Sequence, residues 1–420
     1  MIGRRALLKG LGGTVVLGTS AGVLRAVDQG LLRPFDRPGH AAWVDWREER
    51  YQGPLALVSA GVLAASPHNT QPWRFAVGRL GVDVFEVPER ALGAMDPFGR
   101  ERLIGLGAAI HNMALAASRI GRAAVVSVLP DAANPLHVAR IELGPEGALA
   151  PPHPLLSAIG QRHTHRGAWT GAPLTADDLA RVTAIPLAPG LAVPLFAANS
   201  PRGQRFAALT RDATAAIVED AEMSADGHAW FRHSRRDQDR YMDGLGIATS
   251  GLSPALAFAG AMLPAQSAAE ASRYWLAGTI ETALPTASAF GLITVADPWD
   301  RRGALLAGMA WQRLHLQATA LGLVAQPLNQ LPEMIDRDRQ LARPPQFARA
   351  VDSMLDDVAM RPTFAFRLGR ATQPASASPR RPVSLVIGAP ARIGYDVDRA
   401  RAETAASDAA LVARGKSVRP

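Results

Sequence analysis

Along residues 55–65 the apolar positions Leu55, Val58, Val62 and Ala65 fall at steps of three and four. That spacing predicts an amphipathic helix, and Pro67 marks its stop because a proline ring cannot continue the helical hydrogen-bond ladder. Trp73, Phe75 and Val77 then alternate in the manner of a strand. The connection between them, Ser66-Pro67-His68-Asn69-Thr70-Gln71-Pro72, is crowded with hydroxyl, imidazole and amide groups. A plain turn needs only a glycine or an asparagine. This elbow has the groups to hydrogen-bond the polar edge of a planar ligand; an ordinary helix-to-strand turn is the competing reading.

Farther on, Leu103, Leu106, Ile110, Met113, Ala117 and Ile120 predict a buried central helix, with Gly121 where a helix C-cap belongs. Its small and apolar residues return at a constant offset, since Gly107, Ala109, Leu115, Ala117 and Gly121 match Gly308, Ala310, Leu316, Ala318 and Gly322. Both segments lead into strand-like runs, 123–129 and 323–328. An alanine-rich chain also produces such matches by chance. The repeated order of elements predicts an α+β chain of two related halves, each a sheet flanked by helices, at residues 45–150 and 151–390. A linker rich in proline, glycine and alanine at 144–154 joins them. The second half carries further strand-like runs at 193–198, 290–296 and 363–368. Its residues 218–265, with Trp230, Phe231, Arg232, Asp243 and Gly244, are poorly periodic and read as a lid or a surface excursion.

Composition adds exclusions. The 420 residues are 48% hydrophobic and 20% charged, the balance of a folded globular chain. The formal charge of +8 is unevenly placed: residues 361–420 carry 11 basic against 4 acidic groups and residues 1–50 carry 8 against 5, which leaves the body near neutral. A nucleic-acid groove is not expected from that distribution, and residues 391–420 read as a solvated basic tail. With no cysteine there is no disulfide, no thiolate nucleophile and no cysteine-ligated zinc or iron–sulfur site. At the other end, Gly3-Arg4-Arg5-Ala6-Leu7-Leu8-Lys9 precedes a mildly apolar, glycine-rich run at 11–24, which resembles a twin-arginine export signal. The run is shorter than the roughly 18 residues of a membrane span, and no clear Ala-x-Ala cleavage site follows. Residues 1–40 are therefore expected to act as signal and linker, with the export machinery as partner, the periplasm or cell envelope as destination and a retained membrane tether as one outcome.

The second candidate cluster is Arg162-His163-Thr164-His165-Arg166. Two guanidiniums four residues apart around a hydroxyl can grip a phosphate through forked hydrogen bonds, and a segment that reads as helical, 155–161, leads into them. A solvated basic patch is one alternative. A metal held by His-x-His with His68 or His153 is another, disfavoured because no carboxylate cluster accompanies the histidines. Near the end, Pro379-Arg380-Arg381-Pro382 forms a third basic element.

Taken together these motifs resemble the nitroreductase superfamily of FMN flavoproteins. The elbow is similar to that family's Ser-Pro-x-x-Asn-x-Gln-Pro-Trp element, Arg162 to Arg166 to its Arg-x-Ser/Thr-x-Arg phosphate grip, and Arg380 to the arginine of its C-terminal basic-proline element. The family's FMN sites lie at a dimer interface, with elbow and grip supplied by different subunits. Here the first half has an elbow and no grip, and the second has a grip and no recognisable elbow. The resemblance therefore implies one FMN site in a monomeric pseudo-dimer of fused halves, most like the Acg-type branch. It implies FMN contacts from Ser66, Pro67, His68, Asn69, Gln71, Arg162, His163, Thr164, Arg166 and Arg380, with the backbone near Gln326 approaching the reactive flavin nitrogen. The activity implied is passage of electrons or hydride through FMN to a nitroaromatic, quinone or similar acceptor, from NAD(P)H or, if the protein is exported, a quinol. The alternative is a protein that sequesters FMN beneath residues 218–265 without turnover, Trp230 covering the flavin.

Overall fold

The computed structural model describes residues 20–31, 37–145, 151–357 and 359–388. The twin-arginine motif and the basic tail lie outside the described residues. The helices are α1 (Ser20–Asp28), α2 (Ala41–Arg47), α3 (Pro54–Gly61), α4 (Arg100–Ala116), α5 (Ala176–Thr183), α6 (Pro201–Glu219), α7 (Ala221–His228), α8 (Arg235–Tyr241), α9 (Pro254–Met262), α10 (Ala268–Gly278), α11 (Arg301–Ala320), α12 (Gln330–Gln340) and α13 (Gln346–Asp352). The strands are β1 (Trp73–Gly78), β2 (Gly81–Glu86), β3 (Ala124–Val128), β4 (His137–Leu143), β5 (Leu195–Ala197), β6 (Phe231–Arg232), β7 (Leu245–Gly246), β8 (Ala289–Val295), β9 (Val324–Pro327) and β10 (Arg361–Gly369).

Two four-stranded sheets organise the α+β fold, in the orders β1-β2-β4-β3 and β5-β8-β10-β9. Every pairing within them is antiparallel. Matching the orders pairs β3 with β9, and each follows a central helix and a left-handed glycine: Gly121 at φ 68° after α4, Gly322 at φ 70° after α11. The halves are thus related in topology. They differ in two connections. Residues 79 and 80 link β1 to β2, whereas residues 198–288, with α6 to α10 and the small β6–β7 pair, separate β5 from β8. Residues 129–136 link β3 to β4, whereas residues 328–360, with α12 and α13, separate β9 from β10.

The central helices α4 and α11 cross back to back, and small residues make that possible. A Cβ on Gly107 would stand 2.0 Å from the Leu305 carbonyl oxygen, and one on Gly308 would stand 2.1 Å from that of Ile104. One turn on, Gln312 Nε2 donates to Asn112 Oδ1 at 2.9 Å, and Asn112 Nδ2 donates to the Ala60 carbonyl at 2.9 Å. The offset of 201 residues therefore corresponds to the two faces of one crossing, and the core around it draws on both sheets.

Two local expectations change. The helix expected over 55–65 is α-helical only to Gly61 and is buried from Leu55 to Gly61, because it sits between the first sheet and α4. Residues 155–161, read as helical, form one 3₁₀ turn at Ser157–Gly160. Finally, the C-terminal segment returns to the first sheet: Phe75 N–H donates to Val386 O at 2.8 Å, and Gly388 N–H donates to Phe75 O at 2.9 Å. Ile387 thereby bridges β1 in parallel.

Candidate active site

Between α3 and β1 the elbow takes a backbone that few residue types favour. His68, Asn69 and Gln71 have φ of 45°, 56° and 52°, a left-handed region costing a non-glycine residue roughly 1–2 kcal/mol. Such strain persists where surrounding bonds over-determine it, and it gathers at ligand sites. Here the bonds come from distant parts of the chain. Asn69 Nδ2 donates to the carbonyls of Gly244 at 3.1 Å and Pro379 at 2.9 Å, and its Oδ1 accepts from Arg380 Nη1 at 2.8 Å. Gln71 Nε2 donates to Met242 O at 2.8 Å, and Gln71 Oε1 accepts the Arg381 backbone N–H at 2.8 Å. Ser66 Oγ accepts the Gln71 N–H at 3.0 Å and closes the turn. Asn69 and Gln71 are buried, with their amides engaged by protein, while Ser66, Pro67 and His68 stay half-buried. The first pair hold the elbow's shape and the last three offer its surface.

Against this elbow lie three arginines. Arg162 is 1% exposed and Arg380 2% exposed. Arg162 Nη2 donates to Leu63 O at 2.9 Å and Arg380 Nη2 to Ala64 O at 3.1 Å, so both reach the chain entering the elbow. Arg166 Nη1 donates to Thr249 O at 3.3 Å. Among the described residues none of the three pairs with a carboxylate, and the Nε groups of Arg162 and Arg380 have no hydrogen-bond partner. Buried cations normally have an anion. Burial accordingly drives all three guanidiniums below their usual range: Arg162 to about 10, with Arg166 adding repulsion, Arg166 to about 10, and Arg380 well below, with Arg162 and Arg166 adding repulsion.

The histidines around them are held neutral. Burial, then Arg162, Arg380 and His40, lower His163 to about 3. Burial, then Arg166, lower His68 to about 4. His40 is lowered to about 4 by burial, then by Arg37, with Arg380 and Arg235 adding less and a backbone hydrogen bond opposing. Thr164 is half-buried between the two grip arginines in sequence. His165 faces elsewhere: its Nδ1 accepts the Trp169 indole N–H at 2.9 Å, and its Nε2 lies 2.9 Å from Gln373 O. Gln326 on β9 is next to the grip, since the His165 N–H donates to Ala325 O at 3.3 Å. The Gln326 side chain accepts from Arg367 Nε at 2.9 Å, and that guanidinium lies 3.8 Å above the Trp169 ring.

The structure thus gathers Ser66, His68, Asn69, Gln71, Arg162, His163, Arg166 and Arg380 from both halves. Sequence reasoning missed His40, Trp43 and Arg367. The Trp43 ring lies 4.6 Å from that of His163, tilted by 59°, and 5.1 Å from the Arg380 guanidinium. The excursion after β5 is latched onto the same place. Gly244 N–H donates to Asn69 O at 3.2 Å, Arg90 bridges Thr70 O and Asp243, and Gly251 abuts the backbone of Arg166 and Gly167. Trp230 sits between Arg90 and Arg232, 5.2 and 5.5 Å from the guanidiniums.

No family model matches the chain. It is 28% identical over 340 residues to the Mycobacterium tuberculosis protein named "Putative NAD(P)H nitroreductase Rv3131", covering 79% of this chain and 90% of that protein. To the one named "Putative NAD(P)H nitroreductase acg", of the same organism, it is 38% identical over 112 residues, covering 26% and 34%. The chain resembles nitroreductases. A solved FMN- and NADPH-dependent nitroreductase, NfnB from a Sphingopyxis strain, overlays on 57% of this nitroreductase-like chain and 100% of its own at 15% identity and a TM-score of 0.36.

Proposed function

We propose that this chain is an FMN-dependent oxidoreductase of nitroreductase type. The observation that carries the reading is the pair of buried arginines, Arg162 and Arg380, with unpartnered Nε groups, joined by half-buried Arg166, none of the three paired with a carboxylate among the described residues, beside a strained elbow. A phosphate monoester fits that need, since its oxygens accept forked guanidinium bonds and its charge opposes the mutual repulsion. Arg162, Arg166 and Arg380 hold the phosphate of FMN, with Thr164 and His163 beside it. Ser66, Pro67 and His68 meet the ribityl chain and ring edge, with Asn69 and Gln71 fixing the elbow behind them. When bound, FMN supplies the redox chemistry; the residues of this chain bind it, orient it and limit access. A nicotinamide nucleotide is the donor kind that the relatives' names favour, a nitroaromatic or quinone is the acceptor class, and export by the twin-arginine route carries the folded protein to the cell envelope.

Replacing both Arg162 and Arg166 by alanine tests the phosphate assignment. The variant should purify without flavin absorbance while the wild type is yellow; a fully yellow variant removes the assignment. A second reading is sequestration without turnover. It is favoured by the latch of Gly244, Met242 and Asp243 on the elbow. Anaerobic addition of NADPH separates the two, because a reductase bleaches and a sequestering protein stays yellow.

A further inference from the structure

Residues 244–269 carry no charged side chain. In a protein whose other surface helices are studded with arginine and aspartate, such a stretch is unusual unless something covers it. Its helix α9, Pro-Ala-Leu-Ala-Phe-Ala-Gly-Ala-Met, buries only Ala261 fully. Leu252 before it is 40% exposed and Leu263 after it 36%. The helix is fixed at both ends. Its N-terminal approach, Gly251, rests on the grip at Arg166 and Gly167. At its C-terminus the Met262 and Leu263 carbonyls accept from Arg25 of α1, at 3.4 Å from Nε and 2.9 Å from Nη2. Ala26 and Leu31 pack there against Ala261, Phe258 and Met262.

Helix α1 adds a second apolar face. Leu24 is 69% exposed and Val27 52%, three residues apart and so on one side of the helix. The sequence that enters α1 is uncharged from residue 10 to residue 24 and is preceded by Arg4, Arg5 and Lys9. An uncharged run too short to span a bilayer, flanked by basic residues, partitions weakly into a membrane alone and firmly when a second apolar surface joins it.

We infer that α1 and α9, through Leu24, Val27, Leu252 and Leu263, form a surface that lies on a lipid bilayer. The occupant is lipid, because the uncharged sequence leading into α1 continues directly into the exposed face at Leu24, and the bordering Arg25 and Arg236 are both paired with Asp28, so the contact is apolar in character. The contact stands one nine-residue helix, about 13 Å, from the grip loop, so an apolar electron carrier dissolved in the bilayer would have a short route to the site. The inference does not depend on the FMN assignment.

The absence of cysteine makes a direct test available. Leu252→Cys and Leu263→Cys in the full chain are labelled with an environment-sensitive nitrobenzoxadiazole dye, and Leu80→Cys on the β1–β2 turn, 49% exposed, serves as control. With phosphatidylethanolamine/phosphatidylglycerol vesicles the dye at 252 and 263 should shift to the blue and brighten while the control is unmoved. Equal shifts at all three positions, or none at 252 and 263, overturn the inference. Vesicle flotation of Leu24→Glu/Val27→Glu/Leu252→Glu/Leu263→Glu should fall about tenfold with flavin content unchanged. Flotation that survives in this variant and is lost only in Val15→Glu/Val16→Glu assigns binding to the N-terminal run alone and overturns it. A dimer in the wild type that the quadruple variant dissolves, without change in flotation, assigns the face to a second copy and overturns it too.

Discussion

Asn69 shows how one side chain serves both the strained elbow and the cation behind it. It tolerates φ 56° better than most residues and spans Gly244, Pro379 and Arg380. Asn69→Gly keeps the backbone and removes the bonds, whereas Asn69→Ala loses both. The alanine variant should unfold at lower temperature, by about 1 kcal/mol relative to glycine, and both should release flavin more readily; equal melting of the two refutes a contribution from the left-handed backbone. The histidines give a pH dependence. His163 is lowered to about 3 and His68 to about 4, so between those values and 6.5 the unfolded chain binds protons that the folded chain refuses. Flavin-free protein therefore loses stability as pH falls through that window, at most about 1.4 kcal/mol per pH unit for each group. Glu101, raised to about 7 by burial, acts in the opposite sense between about 4.5 and 7. The comparison with His163→Gln isolates the histidine: the variant should show a shallower loss on acidification, and an identical slope refutes the assignment. The arginines of this site were legible because their spacing and neighbours matched a phosphate grip. His40 and Trp43 were not, since what places them is contact with Ala377 and Ser378, more than 300 residues away.

At the scale of elements, the crossing of α4 and α11 decides whether elbow and grip meet. Gly105 lets α4 press on Ser66 and Pro67, and Gly107 and Gly308 let the helix backbones touch. Gly107→Ala places a methyl 2.0 Å from a carbonyl oxygen that cannot step aside without separating the helices. Overpacking of this kind costs about 1–3 kcal/mol. The expected result is a lower melting temperature together with weaker flavin binding, whereas Ala109→Gly nearby should cost stability with little effect on flavin. A Gly107→Ala protein with wild-type flavin affinity argues that the crossing does not position the site. Strands were the most legible elements, the runs at 123–129, 193–198, 290–296, 323–328 and 363–368 each containing or overlapping an observed strand. The offset of 201 was legible as a pattern and opaque as geometry. Periodicity reports which residues are small or apolar, and only the packed structure shows that Gly107 and Gly308 face each other. Residues 155–161 bury Leu155, Ala158 and Ile159 in the core yet wind only into a 3₁₀ turn, a difference that the spacing of apolar residues does not report.

At the scale of the molecule, the two halves interlock at the central crossing, at the latch on the elbow and through the return of the C-terminal segment to the first sheet. That return was invisible in the sequence, where Val383 to Ile387 had no marked partner; a single bridge at Phe75 and Ile387 leaves no periodic trace. It matters because one short segment carries both an edge contact of the first sheet and Arg380 of the anion site. Ending the chain after Pro379 removes both. Val383 and Val386 are each 1% exposed, and losing two buried valines costs about 1.5–3 kcal/mol apiece, so the truncated protein should melt well below the wild type and lack flavin. Arg380→Ala leaves the sheet contact intact and should lose flavin with a much smaller fall in melting temperature, which added FMN cannot restore. Arg162 and Arg166 come from one half and the elbow from the other, so the chain should hold one flavin and run as a monomer by light scattering. Two flavins per chain would require a second grip that the first half does not contain, and that stoichiometry would overturn the reading of one composite site.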